Sequence, residues 1–288
     1  MTVQLADYLY LDGTIVTEEI IGMGGAGIVV NRGGYACKIP RIFKVVEIDG
    51  VPVENPIHEG VYAEVAAVVR SFKKEKAIYK RLGDHPGIIR CYNADSEEVS
   101  IEMPLMKGDL RQYLTDEGRP GRVHLLSWFL QFARAIAYTH SKRVIICDIR
   151  LANTVYDDDL NLRLIDFSEA ALMDPEWDLQ GCDKYGCSIM TDIGQFGSFM
   201  FEMITGRHCY FDIFQDWRGV GNPTAWPRRE TLPPTSEVWL GEIIEKCWTQ
   251  GFESAEHLER ELDRAKAYHL FLRGTVECAK YGTASATH

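Results

Sequence analysis

Apolar and polar residues alternate from residue 8 to residue 30 around Glu18-Glu-Ile-Ile21, the period of a half-buried strand. The alternation runs into Gly22-Met-Gly-Gly-Ala-Gly-Ile-Val-Val30. The β-branched Ile28 to Val30, the turn Asn31-Arg-Gly-Gly34 and the run Tyr35-Ala-Cys-Lys-Ile39 then predict strand, turn, strand. Residues 41 to 62 carry Gly50, Pro52, Pro56 and Gly60 without a sustained helical period, and they read as a hairpin or loop insertion. A helix is expected to start as early as Val61 and to cover 72–82, where Glu75, Ile78, Tyr79 and Leu82 share one face at i, i+3, i+4, i+7. Gly83-Asp-His-Pro-Gly87 ends it.

Two short strands are predicted over 88–92 and 99–103, followed by a linker, Pro104-Leu-Met-Lys-Gly-Asp-Leu110. Asp109 is placed to cap a short helix through Leu114, and Leu125 to Ser141 is apolar over most of its surface, the pattern of a buried helix. After it come an apolar strand from Val144, a polar loop, a strand to Tyr156, the acidic turn Asp157-Asp-Asp159, and a strand that ends at Asp166. The run 190–206 predicts a further helix with Thr191 as N-cap and Gly206 just past its end. Ser254 should cap a last amphipathic helix through Leu258, Leu262 and Ala265, reaching Leu272, with 274–288 as a frayed tail. No internal repeat or low-complexity tract interrupts the chain.

Composition narrows the possibilities without choosing among enzymes. The chain has 288 residues, enough for two lobes, with 46% hydrophobic and 25% charged residues, as in ordinary globular proteins. Its net charge of −11 argues against a nucleic-acid or anionic-membrane partner. No apolar run approaches the roughly 18 residues of a membrane span, and the first residues lack a basic region followed by an apolar run. The eight cysteines are scattered without C-x-x-C spacing and read as reduced, mostly buried thiols; a cytoplasmic or nuclear location is expected.

The chemistry concentrates in Val144-Ile-Ile-Cys-Asp-Ile-Arg-Leu-Ala-Asn-Thr-Val-Tyr156 and Leu164-Ile-Asp-Phe-Ser168. Asp148 can take a proton from a hydroxyl, while the amide of Asn153 and the carboxylate of Asp166 offer hard oxygen ligands for Mg²⁺. That is the equipment of phosphoryl transfer, in which catalysis is mostly positioning and charge neutralisation. Gly22, Gly24 and Gly27 form G-x-G-x-x-G, a weak signal alone, but strand-turn-strand follows where a dinucleotide fold would need a helix. Lys38 sits in an apolar strand, and Glu75 is a lone acid on an apolar helix face that calls for a buried partner; Lys38 is the candidate.

Glycine hairpin, A-x-K, Glu75, the H-P turn, D-x-x-x-x-N, D-F, the D-x-x-x-x-G of Asp192 and Gly197, and the late C-W pair Cys247-Trp248 occur in one order. That order, over about residues 14 to 270, resembles the eukaryotic protein kinases, most closely the divergent fungal ones with Cys before the catalytic Asp. The resemblance implies an α+β, bilobal fold: a small β-rich N-lobe with one main helix (1–103), a larger, mostly helical C-lobe (104–272) and a C-terminal tail (273–288). It implies ATP and Mg²⁺ as cofactors and a protein hydroxyl, Ser/Thr rather than Tyr, as acceptor. Gly22, Gly24, Gly27 and Val29 would cover the nucleotide, with Glu102 and Met103 at the hinge that receives adenine. Lys38, oriented by Glu75, would hold the α- and β-phosphates. Asp148 would be the base, Asn153 and Asp166 the metal ligands, Arg150 the γ-phosphate contact, and Asp192 a brace for the catalytic loop.

Four departures qualify it. H-R-D is Ile146-Cys-Asp148, so no arginine is there to pair with a phosphorylated loop; D-F-G is Asp166-Phe-Ser168. The segment from Asp166 to Asp192 is short, Pro175-Glu176 lies too close to Asp166 for A-P-E, and Tyr185 is the sole hydroxyl between Glu169 and Cys187. The C-W pair lacks the downstream arginine that would meet the A-P-E glutamate. Two other readings stay open: an ATP-binding pseudokinase serving as scaffold or regulatory module, and a small-molecule kinase.

Overall fold

The computed structural model describes residues 3–25, 27–48, 51–52, 59–213 and 226–281. The chain forms two compact units. The first comprises Met1–His85, Ile89–Met106 and Asp166–Ser168; the second comprises Pro86–Ile88, Lys107–Ile165 and Glu169–His288.

The first unit is built on a four-stranded antiparallel sheet of β2 (Ile20–Met23), β3 (Gly27–Asn31), β4 (Tyr35–Pro40) and β7 (Ile101–Pro104), in the order β2-β3-β4-β7. A second sheet is formed by β1 (Val3–Leu9), β5 (Ile42–Ile48) and β6 (Val51–Pro52), in the order β1-β5-β6. The predicted insertion is thus a pair of strands, one of which pairs with the N-terminal strand; its residues 49–50 and 53–58 lie outside the described residues. Ile28, Val30, Cys37 and Ile39 form a buried cluster against which Tyr8, Tyr10, Val16 and Tyr35 pack. α1 (Glu59–Leu82) begins earlier than its strongest periodicity, and the predicted face Glu75, Ile78, Tyr79 and Leu82 is buried, joined by Phe72.

Only one of the two strands predicted after α1 forms, as β7. Residues 89–92 stay outside any strand because the Asn93 side chain replaces ladder bonds. Its Oδ1 accepts from Glu102 N at 3.0 Å, and its Nδ2 donates to Ser100 O at 3.1 Å. Tyr92 N completes the loop on Glu102 O at 2.7 Å. Lys76, buried on the neighbouring part of α1, donates to Ser96 O and Glu98 O at 2.7 and 2.9 Å and pins the same loop.

The second unit is mostly helical. β8 (Gly108–Asp109) leads to α2 (Leu110–Asp116), capped by Asp109 through Gln112 N as expected, and then α3 (Arg122–Ser141). β9 (Val144–Ile145) pairs with β12 (Ala171–Leu172), and β10 (Thr154–Tyr156) forms a hairpin with β11 (Leu162–Leu164). α4 (Ile189–Thr205) is capped by Ser188, not Thr191. Ser188 Oγ accepts from Thr191 N while Thr191 Oγ1 accepts from Ser188 N, so Thr191 is the reciprocal member of a capping box three residues inside. Gly206 ends α4 at φ 71°, a left-handed conformation that glycine adopts freely. α5 (Gly241–Trp248) and α6 (Ala255–Tyr281) follow; α6 continues into the expected tail as far as Tyr281, because nothing from Leu272 to Tyr281 breaks a helix except one tolerated glycine, and residues 282–288 lie outside the described residues.

Phe129 and Phe132 of α3 pack against Phe196 and Phe199 of α4 in a buried aromatic core. Gly194 and Gly197 let α4 approach its neighbours: a Cβ at Gly194 would lie 2.2 Å from Phe211 Cζ, and one at Gly197 would lie 2.6 Å from Cys247 Cβ. Arg229 forms a two-pronged ion pair with Glu245, with both bonds at 2.6 Å, and its guanidinium lies 5.3 Å from the Trp248 ring centroid. The place left by the missing downstream arginine thus has a local ion pair beside it, while Glu176 is exposed.

Gly194→Ala should lower the denaturant midpoint by an amount equivalent to about 1–3 kcal/mol, because the buried Phe211 ring must move. Gly25→Ala, which meets nothing within 4 Å, should stay within about 0.5 kcal/mol of the parent. Equal effects would contradict this account of α4.

Candidate active site

The first unit holds a three-residue charge cluster. β4 presents Lys38 from a strand in which it pairs with Val29 on one side and Ile101 on the other. Its Nζ donates to Glu75 Oε2 at 2.8 Å and to Asp166 Oδ1 at 2.8 Å, and Lys38 and Glu75 are both buried. Glu75 uses its other oxygen to accept from Phe167 N at 3.2 Å, and Tyr79 meets the Phe167 ring edge-on at 5.2 Å. β4 and α1 therefore fix the segment Asp166–Ser168 together, β4 by the charge of Lys38 and α1 by a backbone bond to Glu75 and an aromatic contact with Tyr79.

Two carboxylates share one ammonium, and their titrations separate accordingly. Burial works to lower the Lys38 pKa, but Glu75 and Asp166 outweigh it and hold it above its ordinary value. Burial pushes the Glu75 carboxyl above the usual range; Lys38 opposes the shift and the Asp166 charge adds to it. At Asp166 burial also acts upward, but the charge and hydrogen bond of Lys38, with bonding at Ser168, overcome it and the carboxyl is held low. Asp166 is the partner that stays ionised most readily.

Asp166 has φ 60°, while Ser168 is not left-handed. The serine that replaces the glycine of D-F-G therefore meets no positive-φ penalty, and the expectation of a less permissive backbone there has no strain behind it. Ser168 N donates to Asp166 Oδ1 at 3.2 Å and fixes the turn.

In the glycine hairpin, Gly24 N donates to Gly27 O at 2.8 Å, and Gly22 pairs with Val29. Gly27 has a reason to be glycine within the chain, since a Cβ would come within 3.1 Å of Lys38 Cε and Ile39 O. At Gly24 and Gly25 neither crowding nor positive φ demands it. Met103 pairs with Ala36 across β4 and is buried. Glu102, expected at the hinge, has both backbone groups engaged by the loop before β7. Its N–H and C=O are engaged by Asn93 and Tyr92, its carboxylate lies 4.0 Å from Arg32, and strand alternation turns it from the face Lys38 shares with Ile101.

The second unit holds Asp148, Arg150 and Asn153 on one loop. The short 3-10 turn Leu151–Asn153 brings Asn153 back, so that its Nδ2 donates to Asp148 Oδ2 at 2.8 Å and Asp148 O at 3.1 Å. Arg150 lies 3.1 Å from the same Asp148 oxygen. The loop is braced from α4. Asp192, fully buried, accepts from Ile146 N at 2.8 Å and Cys147 N at 2.9 Å, and meets His140 Nε2 at 2.9 Å. Gln195 donates to Cys147 O at 2.8 Å and accepts from Ile149 N at 3.0 Å. The loop backbone is therefore fastened on both sides of Cys147, itself left-handed at φ 65°.

His140 and Gln195 are the braces that the sequence reading missed. Gln195 could have been found: it is polar and lies three residues after Asp192, on the same side of the helix. His140 carried no such signal.

The sequence comparisons agree with this equipment. The protein kinase domain family matches residues 16–187, and the chain belongs to that family, with a β-sheet N-lobe and a helical C-lobe. Among curated proteins it is 31% identical over 152 residues to the cAMP-dependent protein kinase catalytic subunit PRKX of Homo sapiens, covering 48% of this chain and 42% of that one. It is 27% identical over 214 residues to the G-type lectin S-receptor-like serine/threonine-protein kinase LECRK1 of Oryza sativa subsp. japonica, covering 66% of this chain and 24% of the relative. A "Probable serine/threonine-protein kinase" of Dictyostelium discoideum is 21% identical over 225 residues, covering 67% of this chain and 17% of its own length. The matched region spans about half the length of such relatives or less.

The charge cluster makes opposed predictions for its members. Lys38→Met leaves the buried Glu75 and the half-buried Asp166 without their cation and should cost about 3–5 kcal/mol near pH 8, whereas Glu75→Gln keeps the Lys38–Asp166 pair and should cost clearly less. A proton taken up by Glu75 relieves the repulsion, so the Lys38→Met deficit should shrink as pH falls towards 5.5. Urea denaturation at both pH values reads this; a pH-independent deficit, or equal costs, would contradict the shared-ammonium account.

Proposed function

We propose that this chain is an ATP- and Mg²⁺-dependent protein kinase that transfers the γ-phosphate to a Ser or Thr hydroxyl of a protein, without control by phosphorylation of the segment after Asp166. The observation that carries the reading is the formed Lys38–Glu75 ion pair with Asp166 on the same ammonium. All five polar groups of the family's machinery are present: Lys38, Glu75, Asp148, Asn153 and Asp166.

The donor set fits a hard divalent cation. Asn153 spends its Nδ2 on Asp148, which leaves its amide oxygen for a ligand, and Asp166 commits Oδ1 to Lys38 and Ser168. Bound Mg²⁺ would neutralise charge on the transferring phosphate. Lys38, oriented by Glu75, holds phosphate oxygens, and the open space over Gly25 lets the hairpin backbone approach them. Asp148 takes the proton of the acceptor hydroxyl at its carboxylate. Arg150, now paired with Asp148, is the cation that would contact the γ-phosphate. Adenine would be received by backbone beyond Met103.

The relatives' names support Ser/Thr as acceptor, and the absence of Ser or Thr from Glu169 to Cys187 supports independence from loop phosphorylation. The alternative, an ATP-binding module without transfer, is favoured by the exposed Glu176 and the short segment around it, which lack the family's substrate-docking anchor.

The purified chain with Mg-ATP should transfer γ-phosphate to generic protein substrates or to itself. Asp148→Asn, with unchanged folding and nucleotide binding, should lower the rate by about 10²- to 10⁴-fold. Nucleotide binding without transfer in the parent chain would overturn the kinase reading in favour of the binding module.

A further inference from the structure

A second cluster of reactive side chains lies in the second unit, outside the set assigned to phosphoryl transfer. The loop Asp183-Lys-Tyr-Gly-Cys187 is closed on itself. Asp183 N donates to Cys187 O at 2.8 Å, Gly186 N donates to Asp183 O at 3.1 Å, and Asp183 Oδ1 accepts from Tyr185 N and Cys187 N, both at 2.8 Å. Ser188 follows directly and caps α4, so the loop stands on a rigid helix. These bonds hold a carboxylate and a thiol in fixed positions. The third member, Cys147, comes from the catalytic loop, where Asp192 and Gln195 fasten its N–H and C=O.

The Sγ atoms of Cys147 and Cys187 and a carboxylate oxygen of Asp183 all lie within 4.8 Å of one another. Cys187 is buried, and Cys147 and Asp183 are half-buried. Among the described residues Asp183 has hydrogen bonds on Oδ1 only. No other group of three His, Cys, Asp or Glu ligands occurs among the described residues.

Two sulfurs and one oxygen suit a different ion from Mg²⁺, because thiolates prefer zinc-class cations. Zn–S bonds of about 2.3 Å put tetrahedral ligands about 3.7 Å apart, so the present spread need close by about 1 Å at most. We propose that Cys147, Asp183 and Cys187 form a binding site for a thiophilic divalent cation of the zinc class, with two thiolates, one carboxylate and one open position. Binding displaces the two thiol protons, so one M²⁺ enters and two H⁺ leave. The ion would tie the residue before Asp148 to the segment leading into α4. The proposal does not depend on phosphoryl transfer, since it concerns only these three side chains and their loops.

The test is a cobalt titration of the full chain, reduced and stripped of metal by a chelator. Co²⁺ should bind with thiolate-to-cobalt charge-transfer absorption in the near ultraviolet, and one equivalent of Zn²⁺ should abolish that band. Cys182→Ser, at the exposed neighbouring cysteine outside the cluster, should titrate like the parent. Cys187→Ser and Asp183→Asn, checked by circular dichroism, should each weaken binding by about tenfold or more. No charge-transfer band in the folded parent chain would overturn the proposal. So would a band that survives Cys187→Ser, or Cys147 and Cys187 recovered as a disulfide that takes up no metal.

Discussion

One ammonium between two carboxylates organises the first unit. Lys38 leaves β4, meets Glu75 of α1 and holds Asp166, so a strand, a helix and a distant segment of chain depend on a single cation. In water such a pair contributes little. Here Lys38 and Glu75 are buried, and removing Lys38 leaves Glu75 without solvent or counterion, whereas removing Glu75 leaves Lys38 paired with Asp166. The stoichiometry matters as much as the burial. With one cation for two anions, Glu75 is pushed towards protonation while Asp166 is kept ionised. The arrangement thereby reserves its charge for the carboxylate that a metal would use.

The second unit solves a related problem with Asp192. A loop that carries Asp148 and Asn153 has backbone N–H groups that cannot all find partners in a ladder, and Asp192 takes two of them while His140 meets the same carboxylate. Gln195 adds one bond on each side, which lets Cys147 sit at φ 65° without freedom to relax. Both units thus place functional groups by buried polar networks.

Departures from the family pattern are absorbed locally. Ser168 costs no strain because the left-handed residue of that turn is Asp166. The arginine absent after Cys247-Trp248 has a local counterpart in Arg229, which closes on Glu245 and lies near the Trp248 ring. Cys147, the residue before Asp148, faces a thiol and a carboxylate from the segment before α4. A contact between catalytic loop and following segment is retained there with different chemistry.

The sequence determined much of this by itself. Period and turn chemistry gave the strand-turn-strand around Gly27 and Lys38, the buried face of α1, the Asp109 cap and the hairpin after Asn153, because each depends on residues close in the chain. The lone acid at Glu75 on an apolar face even named its partner. Tertiary structure decided the rest. Which strand forms after α1 turned on Asn93 competing for backbone bonds, and the start of α4 turned on a reciprocal cap. The sharing of Lys38 between Glu75 and Asp166, the bracing by His140 and Gln195, and the meeting of Cys147 with Cys187 all join residues far apart in sequence. No local period encodes such contacts; they exist only when packing brings the chain together.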